Sequence, residues 1–310
     1  MLRNGSHSTT ETRIFTMPQE NPILDAAFLR KLERLSLIVK RPIAGQMKGE
    51  KRSVKRGTSI EFADYREYAL GDDLRYVDWN MAARLDKMFL KLFVEEEDLY
   101  LALLLDTSKS MDFGSPAKMH HAIRTAAAIG YIALSNYDRV SIQTYAAALG
   151  TPLPTQRGKG GVLPFFRYLE KIKPEGETAF STSLRRYAAT TKQKGVAVVL
   201  SDFFDPQWQE GLKALLARGF QVAVIHVLSP EEIAPKLLGD LRIIDSETNE
   251  AKEMSVNPAL LARYEQALTE FCTEIENFCH RYGVDYLRTP SDSPFEELVL
   301  RSMRMSGMLR

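Results

Sequence analysis

The chain has 310 residues, of which 45% are hydrophobic and 26% charged, a composition typical of a soluble globular protein. Lysine and arginine total 41 against 40 aspartate and glutamate residues, so the formal net charge of +1 gives no reason to expect a nucleic-acid partner. The longest apolar runs, such as YLALLL, fall far short of the roughly 20 residues of a spanning helix, so membrane insertion is not expected.

The N-terminal third divides into two segments that differ in composition and in predicted structure. Residues 1–20 are polar without an apolar signal core, and we expect a disordered leader. Residues 21–97 then begin with helical apolar spacing over 22–40, with Asn21-Pro22 as the predicted start of that helix. The remainder of this unit interleaves aromatic and charged residues, which predicts a small β-rich module with a helical turn near Met81–Leu85.

Charged side chains are dense in this module and leave two interpretations open. They form either a solvated surface or an ion-pair network that shapes an interface. The residues concerned are Arg66, Glu67, Asp72, Asp73, Arg75, Asp78 and Arg84.

From residue 98 onward, strand-like apolar runs alternate with helical segments. The predicted strands are DLYLALLLD, DRVSIQTYA, GVAVVLSDFF, FQVAVIHVL and VDYLRT, with a short hairpin at LRIID and KEMSV. The predicted helices are AKMHHAIRTAAAIGYIALSN, VLPFFRYLEKI, FSTSLRRYAATTK, QWQEGLKALLARG, PALLARYEQALTEFCTEIENFCHRYG and SPFEELVLRSMRMSG. Strands separated by helices predict an α/β domain over 98–310 with a doubly wound, mostly parallel sheet.

The two cysteines, Cys272 and Cys279, are too few for a disulfide framework and fit a reducing cytoplasm. They lie seven positions apart on one predicted helix, where both thiols can face the core. The alternative is that they form part of a zinc site with the neighbouring His280.

A polar triplet follows the first strand of the α/β domain, in the stretch LLLDTSKSMDFG. Side chains at alternate positions of an extended segment point to one side, so Asp106, Ser108 and Ser110 can present a carboxylate and two hydroxyls to one point. An oxygen-only set suits a hard cation such as Mg²⁺. The equally open alternative is that Asp106 and Ser108 only end the strand and cap a helix.

Two further residues are predicted at the same edge of the sheet. Asp202 ends the strand VAVVLSD, and Thr178 lies in the loop PEGETAF before a helix. Sites in open α/β sheets lie beyond the carboxyl ends of the strands. A helix N-terminus there would favour phosphate, but two carboxylates oppose an anion and favour a cation.

These residues resemble the metal-ion-dependent adhesion site of von Willebrand factor A domains, which combines D-x-S-x-S, a loop threonine and a strand-end aspartate. Asp106, Ser108 and Ser110 match residue by residue, whereas Thr178 and Asp202 match by context. The resemblance implies a bound divalent cation, most readily Mg²⁺, with Mn²⁺ or Ca²⁺ as alternatives. It also implies that a partner's carboxylate completes the coordination shell. The family's usual TDG appears here as SDF.

The upstream block resembles the bacterial domain-of-unknown-function family 58. It carries E-F-x-x-x-R-x-Y, then G-D-D-x-R-x-x-D-W, then A-R, and the resemblance spans residues 40–308. That family is often encoded beside MoxR-type AAA+ ATPases, which implies such an ATPase as a protein partner.

The sequence therefore predicts a cytoplasmic, non-enzymatic interaction protein with a von Willebrand A-like domain, acting as an adaptor or co-chaperone of a MoxR-type AAA+ ATPase. The module before the α/β domain would supply a second contact surface. The alternative is a metal-dependent hydrolase acting at the same sheet edge. Hydrolysis needs a positioned base or nucleophile, and the sequence places no histidine near this edge.

Overall fold

The computed structural model describes residues 23–37, 60–85, 87–95, 99–236, 239–244, 251–303 and 308. The predicted leader and the predicted helix start at Asn21-Pro22 lie outside these ranges.

The strands comprise two hairpins and a central sheet. They are β1 (Ile60–Glu67), β2 (Phe89–Glu95), β3 (Tyr100–Asp106), β4 (Arg139–Tyr145), β5 (Leu153–Arg157), β6 (Val196–Ser201), β7 (Gln221–Leu228), β8 (Gly239–Ile244), β9 (Ala251–Val256) and β10 (Asp285–Pro290). β1 pairs with β2 and β8 with β9, both antiparallel.

The helices surround this sheet. They are α1 (Ala26–Leu32), α2 (Trp79–Leu85), α3 (Lys118–Ser135), α4 (Val162–Leu169), α5 (Phe180–Thr190), α6 (Trp208–Arg218), α7 (Pro230–Ile233), α8 (Pro258–Tyr282) and α9 (Phe295–Glu297). Short 3₁₀ turns occupy Leu74–Tyr76, Lys109–Asp112 and Lys159–Gly161, and a π-helical turn occupies Leu298–Ser302.

The central sheet has six strands in the order β10-β7-β6-β3-β4-β5. β10, β7, β6, β3 and β4 are parallel, and β5 is antiparallel to β4 at the edge. The chain leaves β3 toward β4 on one side and later returns to β6 on the other side. This reversal places the crevice at the carboxyl ends of β3 and β6.

Strand β3 is buried along its whole length because helices cover both faces of the sheet. Leu101, Leu103 and Leu105 pack into one core with α1, α3 and α4. Ala102 and Leu104 pack into a second core with α5, α6 and α8. The predicted mixed α/β fold with a mostly parallel sheet flanked by helices is therefore confirmed.

Helix α1 belongs to the first of these cores. Its N-terminus is capped by Asp25, whose Oδ1 accepts from the backbone N–H of Phe28 at 2.7 Å. Phe28 and Leu32 are buried in the cluster that contains α3. The helical spacing predicted over 22–40 thus yields a shorter helix, with Glu33 as its C-cap.

The module between α1 and β3 contains the β1–β2 hairpin, and α2 lies at the predicted helical turn. Asp78 caps α2, with its Oδ1 accepting from the N–H groups of Asn80 at 3.0 Å and Met81 at 3.2 Å. Several of the charged side chains that the sequence singled out form exposed pairs. These pairs are Arg66–Asp72, Arg75–Asp73 and Lys87–Glu67.

Two elements differ from the sequence prediction. β5 was not predicted, because LPTQR has the Pro and the polar residues of an edge strand and no apolar run. Within the described residues, the predicted final helix over SPFEELVLRSMRMSG begins as the α-helix Phe295–Glu297 and continues as the π-helical turn Leu298–Ser302. Among the described residues, no helix combines the length and the apolar character that a membrane crossing requires.

Both cysteines are free and buried, which confirms the core interpretation. Cys279 packs with Ile275 in the second core, and burial raises the pKa of its thiol to about 12. We therefore expect an aromatic disulfide reagent to label both thiols slowly in native buffer and rapidly in denaturant, because the thiolate is the reactive form. Fast labelling of the folded protein would contradict this placement.

The buried side chain of His121 should make the free energy of unfolding depend on pH. Burial lowers its pKa to about 4 from 6.5, with Arg124 adding to the effect. Because the folded pKa lies below the unfolded one, the stability associated with neutral His121 is complete above pH 6.5 and is lost as the pH falls toward 4. We expect wild type to lose up to about 3 kcal/mol of unfolding free energy relative to His121→Gln across this window.

Denaturant titrations at several pH values measure this difference. The exposed His280, replaced by Gln, serves as the matched control on α8. A wild-type minus His121→Gln difference that stays constant from pH 6.5 to 4 would show that His121 is not held neutral by the fold.

Candidate metal centre

Asp106 and Ser108 form a compact, fully buried pair at the end of β3. The Oδ1 of Asp106 accepts from the Ser108 backbone N–H at 3.0 Å and from the Ser108 hydroxyl at 2.7 Å. Its Oδ2 accepts from the hydroxyl of Ser201, the last residue of β6, at 2.6 Å. The carboxylate thus joins the two central strands at their carboxyl ends.

Ser110 completes the triplet that the sequence predicted. Its Oγ lies 3.0 Å from the Oγ of Ser108. The backbone is not extended as expected, since Lys109–Asp112 forms a 3₁₀ turn, and the turn brings the two hydroxyls together. Ser108 occupies the N-cap position of this turn, but its side chain makes no capping hydrogen bond. The helix-capping alternative therefore does not account for Ser108.

Asp202 follows β6 and is also fully buried, but it is paired with a residue that the sequence did not single out. Its Oδ2 accepts from the Lys118 ammonium at 2.7 Å. Lys118 is the first residue of α3, and none of its side chain is exposed. Burial acts to lower the pKa of Lys118, but Asp202 and Glu232 outweigh it and the pKa is raised.

Glu232 holds the other side of the Lys118 ammonium. Its Oε1 accepts from Lys118 Nζ at 2.5 Å, and its Oε2 accepts from the Ser229 N–H at 2.7 Å. The Ser229 hydroxyl accepts from the Glu232 N–H at 3.1 Å, so the two residues form a capping box at the start of α7. The backbone geometry of α7 therefore fixes this carboxylate.

Asp106 has a strongly perturbed pKa. Burial and, to a smaller extent, the negative charge of Asp202 raise the pKa of its carboxyl to about 7, against the lowering effect of the hydrogen bonds from Ser201 and Ser108. The carboxylate charge at this edge is thus only partly balanced by Lys118. A cation bound here would favour the ionised form of Asp106.

The loop that contains Thr178 is fixed beside the triplet by backbone hydrogen bonds. The Lys109 N–H donates to the Gly176 carbonyl at 3.0 Å, and the Glu175 N–H donates to the Thr107 carbonyl at 2.7 Å. Thr178 itself is half-buried. The structure therefore brings four of the predicted residues and the loop of the fifth to one sheet edge.

His226 corrects the expectation that no histidine lies near this edge. It sits on β7 in register with Ser201, and its Nε2 lies 3.1 Å from the Asp202 carbonyl oxygen. Its Nδ1 lies 2.9 Å from the Tyr286 hydroxyl, and burial lowers its pKa to about 4. The apolar run VAVIHVL does not indicate that His226 lies at this edge, because the sequence around a single histidine in a buried strand does not show which residues it contacts.

The donor set fits a hard divalent cation. About 2.1 Å separates Mg²⁺ from its ligands, so adjacent oxygens of an octahedral shell lie about 3.0 Å apart. The hydroxyls of Ser108 and Ser110 are hydrogen-bonded to each other at 3.0 Å, a separation that an octahedral shell also accommodates. No three His, Cys, Asp or Glu side chains cluster as metal ligands in the described part of the chain. Serine oxygens would therefore have to supply part of the shell.

Three residues that contribute to this edge of the sheet were not predicted from the sequence. Ser201 precedes a predicted ligand and had no motif of its own. Lys118 lies in the first turn of a helix, where a lysine is usually solvated. Glu232 could have been noticed, since SPEE at 229–232 has the S-x-x-E spacing of a capping box.

The chain is similar to several mycobacterial proteins. The uncharacterized protein Mb1516 of Mycobacterium bovis is 28% identical over 276 residues, which cover 86% of this chain and 85% of that protein. The uncharacterized protein Rv1480 of Mycobacterium tuberculosis matches with the same figures, 28% over 276 residues.

Two solved structures show a weaker likeness. BatB from Bacteroides thetaiotaomicron aligns with a TM-score of 0.41 and 19% identity, covering 67% of this chain and 98% of that one. An aerotolerance-related membrane protein from Bacteroides fragilis aligns with a TM-score of 0.42 and 19% identity, covering 67% of this chain and 100% of that one.

The family comparison covers the hairpin module and most of the α/β domain. The sequence model described as Protein of unknown function DUF58 matches residues 64–273. This range includes the whole G-D-D-x-R-x-x-D-W block and all five predicted site residues. The chain therefore belongs to the DUF58 family.

Proposed function

We propose that this chain is a non-enzymatic protein-interaction module with a von Willebrand A-like domain that binds a divalent cation, Mg²⁺ above all. Asp106, Ser108 and Ser110 would hold the ion, and the Thr178 loop and Asp202 would complete the site. The bound ion supplies a positive charge that attracts an acidic residue of a partner.

One observation carries this proposal. The hydroxyls of Ser108 and Ser110 lie 3.0 Å apart beside a buried carboxylate, and Ser108 makes no helix-capping bond. The Ser108 hydroxyl donates to the desolvated Asp106 carboxylate, as a buried charge requires, and the Ser110 hydroxyl adds a further oxygen beside it. Such an arrangement supports cation binding over simple strand termination.

The proposed partner is a MoxR-type AAA+ ATPase in the cytoplasm, which this chain would serve as an adaptor or co-chaperone. The partner follows from the family resemblance. Two free, buried thiols are compatible with a reducing compartment.

The module between α1 and β3 supports a second contact surface. Large apolar side chains are concentrated on it with unusual exposure: Leu70, Leu74, Trp79, Leu85 and Met88. Exposed apolar patches that include a tryptophan are typical of protein–protein contacts. Six of the surrounding charged side chains are paired with one another, so the exposed apolar residues are the better candidates to supply the contact.

The hydrolase alternative gains no support from His226. Both of its ring nitrogens have hydrogen-bonding neighbours and the side chain is fully buried. A general base must reach the proton that it abstracts. His226 therefore serves packing between β6, β7 and β10.

The first prediction of this proposal is a metal-dependent gain in stability. At ten times its dissociation constant, Mg²⁺ should stabilise the protein by about 1.4 kcal/mol, which raises the melting temperature by about 2–5 °C. Asp106→Asn keeps the shape of the side chain and removes its charge, so this variant should lose the Mg²⁺-dependent shift. Differential scanning fluorimetry with MgCl₂, MnCl₂ and CaCl₂ measures both proteins.

The control for this experiment is Asp112→Asn, which removes a carboxylate six residues away in the same turn region. It should retain the shift of wild type. Equal shifts in wild type and Asp106→Asn would overturn the assignment of the site.

The second prediction concerns binding to a purified MoxR-type ATPase from the same organism. Thr178→Ala removes one hydroxyl without adding charge, so it should weaken binding by about three- to tenfold, and EDTA should weaken it in wild type. Trp79→Ser on the module should weaken binding by about tenfold or more, as loss of an interface tryptophan usually does. Surface plasmon resonance gives the affinities.

Tyr137→Asn is the matched control for Trp79→Ser. Tyr137 and Trp79 are both 61% exposed, but Tyr137 lies before β4, at the opposite end of the sheet from the candidate site. Circular dichroism must show that each variant is folded. If the ATPase binds Thr178→Ala as tightly as wild type, and binds wild type as tightly in EDTA, the cation has at most a structural role.

A further inference from the structure

Lys118 is among the largest fully buried side chains of the described residues, and no part of the proposed site needs it as a ligand. Its ammonium lies 2.7 Å from an oxygen of Asp202 and 2.5 Å from an oxygen of Glu232. The three residues belong to three separate elements: the start of α3, the end of β6 and α7.

A buried ammonium is unfavourable unless its surroundings compensate for the lost water. Here two carboxylates do so, and the aromatic ring of Phe204 lies 5.2 Å from Nζ on a further side. Phe204 in turn stacks on Phe271 at 5.5 Å. The ammonium is therefore held at a defined position and cannot turn out to solvent.

The placement of this charge matters for the neighbouring cation site. Two carboxylates, those of Asp202 and Glu232, share the single positive charge of Lys118, and Asp106 lies at the end of the adjacent strand β3. The Lys118 ammonium donates to Oδ2 of Asp202. The other carboxylate oxygen, Oδ1, accepts from the Phe204 N–H at 3.4 Å. Asp202 is thus already engaged by an internal cation.

We propose that Lys118 is an internal counter-cation. It keeps Asp202 and Glu232 compensated when no metal is bound, and it limits how tightly the site holds a divalent cation. This inference rests on the proposed cation site, because it describes how that site is tuned. Because Lys118 already balances part of the carboxylate charge, a bound ion keeps more net positive charge for a partner's carboxylate, so Lys118 favours ternary binding over tight binding of the metal alone.

The test compares metal affinity and stability in four variants. Lys118→Met removes the internal charge, and Lys118→Met with Glu232→Gln also removes one of the two carboxylates that would lose their partner. Glu232→Gln alone removes one carboxylate and keeps the ion pair between Lys118 and Asp202. Lys109→Met is the matched control, because Lys109 lies between Ser108 and Ser110 but is exposed, and solvent screens its charge.

Isothermal titration with MnCl₂ and MgCl₂ gives the affinities, and thermal melting in EDTA gives the stability of the metal-free proteins. In EDTA, Lys118→Met should melt roughly 5–15 °C below wild type, because a buried ion pair has lost one partner. Both variants that lack Lys118 should bind Mn²⁺ at least about tenfold more tightly than wild type. Glu232→Gln and Lys109→Met should bind no more tightly than wild type.

If Lys118→Met does not fold without metal, the double variant decides the outcome. Mn²⁺ affinity of the double variant equal to or below that of wild type overturns the inference and leaves the cation site standing. Mn²⁺ binding by the double variant but not by wild type supports the inference and removes the cation from the proposed function. Binding by neither protein overturns both.

Discussion

Desolvation of carboxylates at one edge of the sheet is the constraint around which this domain is arranged. Asp106 is the last residue of β3 and Asp202 directly follows the adjacent strand β6, so both charges lie where the packed strands end. Water cannot compensate them there, and the protein does so with hydroxyls, backbone N–H groups and one lysine. Elements that are distant in the sequence, from α3 to α7, are held together by these contacts.

The fold was largely predictable because its signals are local. A nearly continuous apolar run such as that of β3 requires cover on both faces, and Gly219 and Gly283 end α6 and α8 in the left-handed conformation that glycine favours. β5 escaped prediction because its pairing with β4 depends on tertiary contacts. The π-helical turn at Leu298–Ser302 has the same apolar pattern as an α-helix, so periodicity alone does not distinguish them.

The candidate site was predictable only in part. The spacing of Asp106, Ser108 and Ser110 revealed the triplet, even though a 3₁₀ turn and not an extended strand brings the hydroxyls together. Lys118 could not be predicted, because its partners are 84 and 114 residues away along the chain. A contact between single residues of three elements leaves no periodic pattern in one sequence.

The position of α1 has a consequence for how the chain is divided into parts. Phe28 and Leu32 complete the core around α3, and among the described residues after Leu37 the chain next joins that core at Leu99 and β3. The hairpin module is therefore an insertion tethered at both ends to one folded body, and its freedom is that of a closed loop and not of a terminal arm. A fragment that starts at Leu99 would leave the α1-facing side of α3 bare, so the smallest autonomous unit is discontinuous in sequence.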